Sequence, residues 1–215
     1  MTTFIGDVHG KFSPYTKIIK KHPDTIQVGD MGVGFFHRGF RHGTSYVDRY
    51  EEYLMPSGNP PYDRMVENNA RFIRGNHDNP GVCKKHTQYI PDGHVEGDMM
   101  FVGGALSIDR HMRRVNESYW EDEELSYGEF MDIQEKYLDI KPRIMVTHEC
   151  PEAIAQQMFN YHKLDDPSRT RQAFESMWEM HKPEIWIFGH WHDRRDWVIM
   201  GTRFICLEEL GTITL

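Results

Sequence analysis

The chain has 215 residues, 39% hydrophobic and 27% charged, which suits one globular domain with a core of its own and excludes a disordered or fibrous composition. Its net charge of -8 argues against a general nucleic-acid surface, which would need a basic face to neutralise phosphates. Cys83, Cys150 and Cys206 are widely spaced without a Cys-x-x-Cys pair, so neither a disulfide framework nor a thiolate zinc site is indicated. No apolar run approaches the roughly 20 residues that span a bilayer, and the first residues enter a strand without the basic region of a signal peptide. A cytoplasmic protein with no membrane partner is expected; the oligomeric state stays open.

Thr2 to Gly6 reads as a buried strand, and Ser13-Pro14 offers an N-cap and a first-turn proline for a helix to about Lys21. Thr25 to Val28 is the next strand. If the two are parallel, the loops after them lie on one sheet edge, where open α/β folds bind ligands. Asp7, His9 and Asp30 would share that edge.

From Gly32 to about Asn69 the pattern loosens into aromatic and basic residues, among them Phe35, Phe36, His37, Arg38, Phe40, Arg41, His42, Tyr46, Tyr50 and Tyr53. This stretch is either a surface excursion or a lid over residues 33–69, and a helix over Tyr62 to Asn69 leads into a strand at Arg71 to Arg74. Thr87 to Ile90, Val95 to Glu96 and Met99 to Val102 read as short strands of a second, antiparallel-leaning sheet. Ser126 to Glu129 forms a capping-box pattern for a helix through about Tyr137.

Arg143 to Val146 is the next strand, and helices are expected from Pro151 and Pro167. In the latter, Ala173, Phe174, Met177, Trp178 and His181 recur at helical spacing as a core-facing stripe. Glu184 to Phe188, Trp197 to Met200, Arg203 to Leu207 and Thr212 to Leu215 complete the strands. With no repeat or linker, residues 1–215 are read as a single domain.

Five of the strand-like runs end on metal-ligating residue types: Gly6-Asp7-Val8-His9, Gly29-Asp30-Met31-Gly32, Gly75-Asn76-His77-Asp78, Thr147-His148 and Gly189-His190-Trp191-His192. Taken singly, each is as well explained by a turn with a satisfied core histidine. Together they supply Asp7, His9, Asp30, Asn76, His148, His190 and His192, more ligands than one ion uses. Oxygen and nitrogen donors without thiolates suit divalent manganese, iron or zinc. Two ions about 3.5 to 4 Å apart are the known device for in-line displacement at phosphorus.

This ordered series resembles the signature of the calcineurin-like metallophosphoesterase superfamily, from residue 6 to residue 192. The segment Phe101 to Arg113, with Tyr119-Trp120 and Glu123-Glu124-Leu125, is similar to a bacterial and phage subgroup within it. The resemblance implies an α/β fold, a four-layer αββα sandwich of two mixed sheets flanked by helices, with a dinuclear metal site at the strand ends. It implies that Asp7, His9 and His192 hold one ion, that Asn76, His148 and His190 hold the other, and that Asp30 bridges them. The Ser/Thr protein phosphatase branch differs: it continues Gly-Asp into Val-Asp-Arg-Gly, has Glu in place of Asp78, and has His-Gly-Gly in place of Thr147-His148-Glu149.

The expected function is metal-dependent hydrolysis of a phosphomonoester or phosphodiester by attack of a metal-bridging hydroxide, manganese being the first choice of metal. The alternatives are a phosphoprotein phosphatase or a non-catalytic scaffold. His77 is expected to protonate the leaving oxygen, Asp78 to orient His77, and Arg113 or Arg114 to clamp the phosphate of the substrate. Arg38, Arg41, Arg194 and Arg195 are weaker candidates for the clamp. Cys150, His111, His162 and His181 are read as structural or surface residues.

Overall fold

The computed structural model describes residues 1–41, 51–160 and 167–215, with backbone alone for 37–41 and 51–56. In chain order the elements are β1 (Thr3–Ile5), α1 (Phe12–Lys21), β2 (Thr25–Gln27), β3 (Phe36–Arg41), β4 (Glu51–Pro56), α2 (Tyr62–Glu67), β5 (Ala70–Phe72), α3 (Pro80–Cys83), β6 (His94–Glu96) and β7 (Met99–Val102). There follow α4 (Tyr127–Ile140), β8 (Ile144–Thr147), α5 (Glu152–Phe159), α6 (Arg169–Met180), β9 (Ile185–Phe188), β10 (Arg195–Ile199), β11 (Thr202–Cys206) and β12 (Thr212–Thr214).

The strands build two mixed sheets, ordered β12-β1-β2-β5 and β10-β11-β9-β8-β7-β6, while β3 and β4 pair as a separate hairpin. In the first sheet β1, β2 and β5 are parallel and β12 runs antiparallel along β1. In the second β7, β8, β9 and β11 are parallel, with β6 and β10 as antiparallel edges. Strands buried on both faces read as unbroken apolar runs, and the period-2 alternation sends successive side chains into different layers.

Ile5, Ala70 and Phe72 pack outward against Tyr15 and Ile19 of α1 and Met65 of α2. Phe4, Ile26 and Val28 pack inward against Phe101, Val146, Ile187 and Ile205 of the other sheet. The far face of that sheet, Met145, Trp186, Phe188 and Phe204, is covered by Phe130, Ile154, Phe174 and Trp178 from α4 to α6. Three apolar seams between successive layers make the αββα sandwich. Trp186 anchors the third seam: it is fully buried, and its indole N–H donates to Thr147 Oγ1 at 2.8 Å.

Several elements begin as the residues dictate. Ser126 caps α4 with the reciprocal capping box, its backbone N–H donating to Glu129 Oε2 at 2.8 Å. In α6, Phe174, Met177 and Trp178 are buried as the helical stripe requires.

Other expectations need correction. Helix α1 starts at Phe12, with Ser13 inside its first turn and no side-chain cap, and α6 starts after Ser168, whose hydroxyl accepts from Arg171 N–H, so Pro167 precedes the helix. Thr87 to Ile90 makes only a single bridge, Phe72↔Tyr89, because Pro91 cannot extend the pairing. The second sheet is mainly parallel, since helical crossovers of this length return the chain in the same direction. Residues 42–50, carrying His42, Tyr46 and Tyr50, lie outside the described residues, as do His162 and the side chains of His37, Arg38, Phe40, Arg41 and Tyr53. Among the described residues, no helix is long and apolar enough to cross a membrane.

Candidate metal centre

The loops after β1, β2 and β5 from one sheet meet those after β8 and β9 from the other. Asp7 is fully buried, accepts the backbone N–H of His190 at 3.1 Å, and lies 3.1 Å from His192 Nε2. His9 Nε2 is 2.8 Å from His192 Nε2 and 3.7 Å from both the Asp7 and the Asp30 carboxylate. Across Asp30, His148 Nε2 is 3.2 Å from Asp30 Oδ1 and 3.1 Å from Asn76 Oδ1, which is 3.0 Å from His190 Nδ1. Two groups of ligand atoms result, each within 4.8 Å: Asp7, His9, Asp30 and His192, and Asp30, His148 and His190. Asp30 belongs to both.

Local backbone serves this convergence rather than its own preference. His9, Asp30, His190 and His192 have φ of 47, 59, 69 and 52°, left-handed conformations that disfavour non-glycine residues by about 1–3 kcal/mol. The glycines beside the ligands have a steric cause. A Cβ at Gly75 would collide with the Asp30 carboxylate, and one at Gly189 with that of Asp7.

The electrostatics follow from burial and proximity. Burial alone would raise Asp7, but hydrogen bonds from His192 and His9 bring its pKa down to about 2. Burial likewise opposes ionisation of Asp30, yet the neighbouring His77 and His148 hold it well below the usual carboxylate range. For His148, Asp30 outweighs burial and pushes the pKa up to about 10, whereas burial drops His190 to about 4 despite Glu149. Two buried carboxylates, four imidazoles and an amide oxygen converging on one edge are a donor set suited to divalent cations of intermediate hardness. The residues therefore fit two ions sharing Asp30.

A calcineurin-like phosphoesterase family model matches residues 2–194. The chain belongs to that family. No curated protein matches it, and among solved structures it is similar to TT1561 of Thermus thermophilus, at 12% identity and a TM-score of 0.55, covering 97% of this chain and 90% of that one. Calcineurin-like phosphoesterases are metal-dependent hydrolases of phosphate esters that typically bind two divalent ions, and the αββα sandwich seen here is their fold.

In this member of the family a further layer of residues orients the candidate ligands. His148 Nδ1 donates to Val28 O at 2.9 Å, which fixes the ring with Nε2 facing Asp30. His190 turns Nε2 toward Glu149, 3.6 Å away. Glu149 is itself fully buried, accepting from Trp191 Nε1 at 2.8 Å and pairing with Arg171 at 3.2 Å. Burial would raise this carboxyl; His190 and Arg171 hold it below the ordinary value. The departure from His-Gly-Gly at Thr147-His148-Glu149 thus places an anion behind His190.

The expected leaving-group machinery sits differently. His77 Nδ1 bonds Asp30 Oδ2 at 2.7 Å and its Nε2 faces Arg113 Nη2 at 2.6 Å. Asp78 does not orient His77: its carboxylate accepts backbone N–H groups of Met31, Gly32, Val33 and Gly75 at 2.7–3.1 Å, tying the Asp30 loop to the Asn76 loop. The side chain of a residue adjacent in sequence points the other way, and Asp30 takes over the orienting contact.

Arg113, 12% exposed, enters a cleft of about 380 Å³ lined with Asn76, His77, Ile108, Trp191 and His192. Arg114 is instead 55% exposed with its guanidinium 3.8 Å from Glu117. Arg194 pairs with Glu208, and Arg195 with Asp193. Ser107, Glu123, Glu149 and Arg171 were not among the sequence candidates; Ser107 and Glu123 fell in segments that carried the subgroup resemblance without a role, and Glu149 stood out as a departure.

Proposed function

We propose that this protein hydrolyses phosphate esters with two divalent cations, manganese being the first choice. Asp7, His9 and His192 would hold one, Asn76, His148 and His190 the other, and Asp30 both. The observation that carries the reading is the single buried carboxylate of Asp30 common to two clusters of ligand atoms. When bound, such ions polarise phosphate oxygens and acidify water to a nucleophile at neutral pH.

The chain's own residues supply positioning and a proton. A guanidinium always carries its protons, so His77 Nε2 accepts from Arg113 and its single proton sits on Nδ1, donated to Asp30. A substrate phosphate, a stronger acceptor than imidazole, would draw Arg113 to its oxygens bidentately. Nε2 is then released to take up a proton from solvent and hold it toward the leaving oxygen. Water oxygen bonds to phosphorus and gives up one proton to solvent, the ester P–O bond breaks, and the Nε2 proton goes to the departing alkoxide. Arg113 is thus the clamp in this reading, and it offsets locally the repulsion expected of a chain with net charge -8.

The test is metal content of the purified protein together with hydrolysis of an aryl phosphomonoester and an aryl phosphodiester in the presence of manganese. Bound metal with turnover of either ester is expected, and the ratio of the two rates divides monoesterase from diesterase. A protein that takes up no divalent metal and cleaves neither ester would be a binding scaffold.

A further inference from the structure

Ser107 stands on the loop after β7, and its hydroxyl makes three hydrogen bonds. It donates to Glu123 Oε2 at 2.7 Å and accepts from Asn76 Nδ2 at 3.1 Å and Arg113 Nη1 at 3.0 Å. One proton and two lone pairs are all a hydroxyl has, so the set is complete. The Ser107 backbone N–H fills the other oxygen of Glu123 at 2.6 Å. Ser107 and Glu123 are each 1% exposed, out of reach of competing water. Glu123 is pinned in turn by buried Arg74, whose Nη1 donates to the Asp122 and Glu123 carbonyls at 3.0 and 2.8 Å.

The direction of this chain of bonds matters. Burial raises the Glu123 pKa to about 7; above it the carboxylate is ionised and only accepts, so the Ser107 proton points at Glu123 and its lone pairs at Asn76. That obliges Asn76 to turn its NH₂ to Ser107 and its Oδ1 to His148 and His190, 3.1 and 3.0 Å away. The opposite amide rotamer would present N–H groups, which cannot ligate a cation.

We propose that Glu123 and Ser107 are positioning residues that set the polarity of the Asn76 amide, and so make the second cation site competent. The proposal rests on the two-cation reading above. Glu123→Gln is the incisive variant because it is nearly isosteric yet reverses the chain. With its oxygen on the Ser107 N–H, the new NH₂ donates to the Ser107 hydroxyl, whose proton is then driven toward Asn76.

The experiment is calorimetric titration of metal-free protein with Mn²⁺ at a pH above that of Glu123 ionisation, with thermal unfolding of the same metal-free samples. Wild type is expected to show two binding events. Glu123→Gln and Ser107→Ala are expected to fold and to weaken one event by about 10–100-fold while leaving the other unchanged, a split that general loosening would not produce. If both variants fold and bind two ions as wild type does, or if neither folds, the positioning role is overturned. A wild type that takes up no Mn²⁺ overturns the two-cation reading first, and this proposal with it.

Discussion

The two halves of the centre are built to different standards. Around Asn76, His148 and His190 the side chains are 2, 0 and 16% exposed, and each has a partner behind it, respectively Ser107, the Val28 carbonyl and Glu149. On the other side His192 is 44% exposed, and the group nearest its far nitrogen is Glu209 at 3.8 Å, itself a third exposed and engaged by Lys11. Ligand identity is similar in both halves; support is not. The difference teaches that an imidazole on a strand end becomes a fixed ligand only through what fixes its other nitrogen.

Four measurements break or sharpen that contrast. The largest effect is expected from Asp30→Asn, the one change that strikes both halves: both cations should be lost, and ester hydrolysis should fall by more than the ~100-fold typical of an outer-layer change. A variant that kept one ion at wild-type affinity would show that Asp30 serves one half alone. Next is Glu149→Gln, which removes a buried carboxylate paired with buried Arg171. Metal-free protein should lose about 3 kcal/mol in urea unfolding, the range for breaking a buried pair, and bind its second ion more weakly.

A smaller effect, in rate rather than in stability, is expected from a chelator. Metal release should be biphasic, the ion of the Asp7, His9 and His192 half leaving first because His192 is the most exposed of the seven candidate ligands. Release in one phase would mean that the halves are equivalent despite their support. The smallest effect belongs to Glu209→Gln, whose contacts to Lys11 and His192 are partly exposed. Unfolding should change by less than about 1 kcal/mol, as surface ion pairs do, and a larger loss would make the open half as braced as the closed one.

Much of the centre was legible in the sequence because parallel strands deliver their following loops to a common edge. Five runs ending in Asp, Asn or His were enough to bring Asp7 and His192 together across the chain, and Gly75 and Gly189 marked where a carboxylate needed room. What stayed hidden depends on partners fixed only in three dimensions. Ser107 meets Glu123 across 16 positions and Asn76 across 31, with no spacing that announces either. Asp78 misled because adjacency to His77 says nothing of direction, and its four backbone amides are invisible in a string of side chains. The second sheet misled because β6 and β7 do form an antiparallel pair, while the helices that carry β7 on to β8 and β9 decide the rest.

The pairing of β1 with β12 has a consequence for biosynthesis. Thr3 bonds Thr214 across 211 positions, and His9 meets His192 across 183. At roughly 5–20 residues per second, a ribosome needs on the order of 10–40 s between making the first of those histidines and the second. Through that interval the early ligands are exposed in a chain that cannot yet enclose an ion. His190, which completes the other half, emerges only just before His192. A nascent chain that has not reached residue 190 therefore lacks a donor of each candidate cluster, and neither cluster can close before that point.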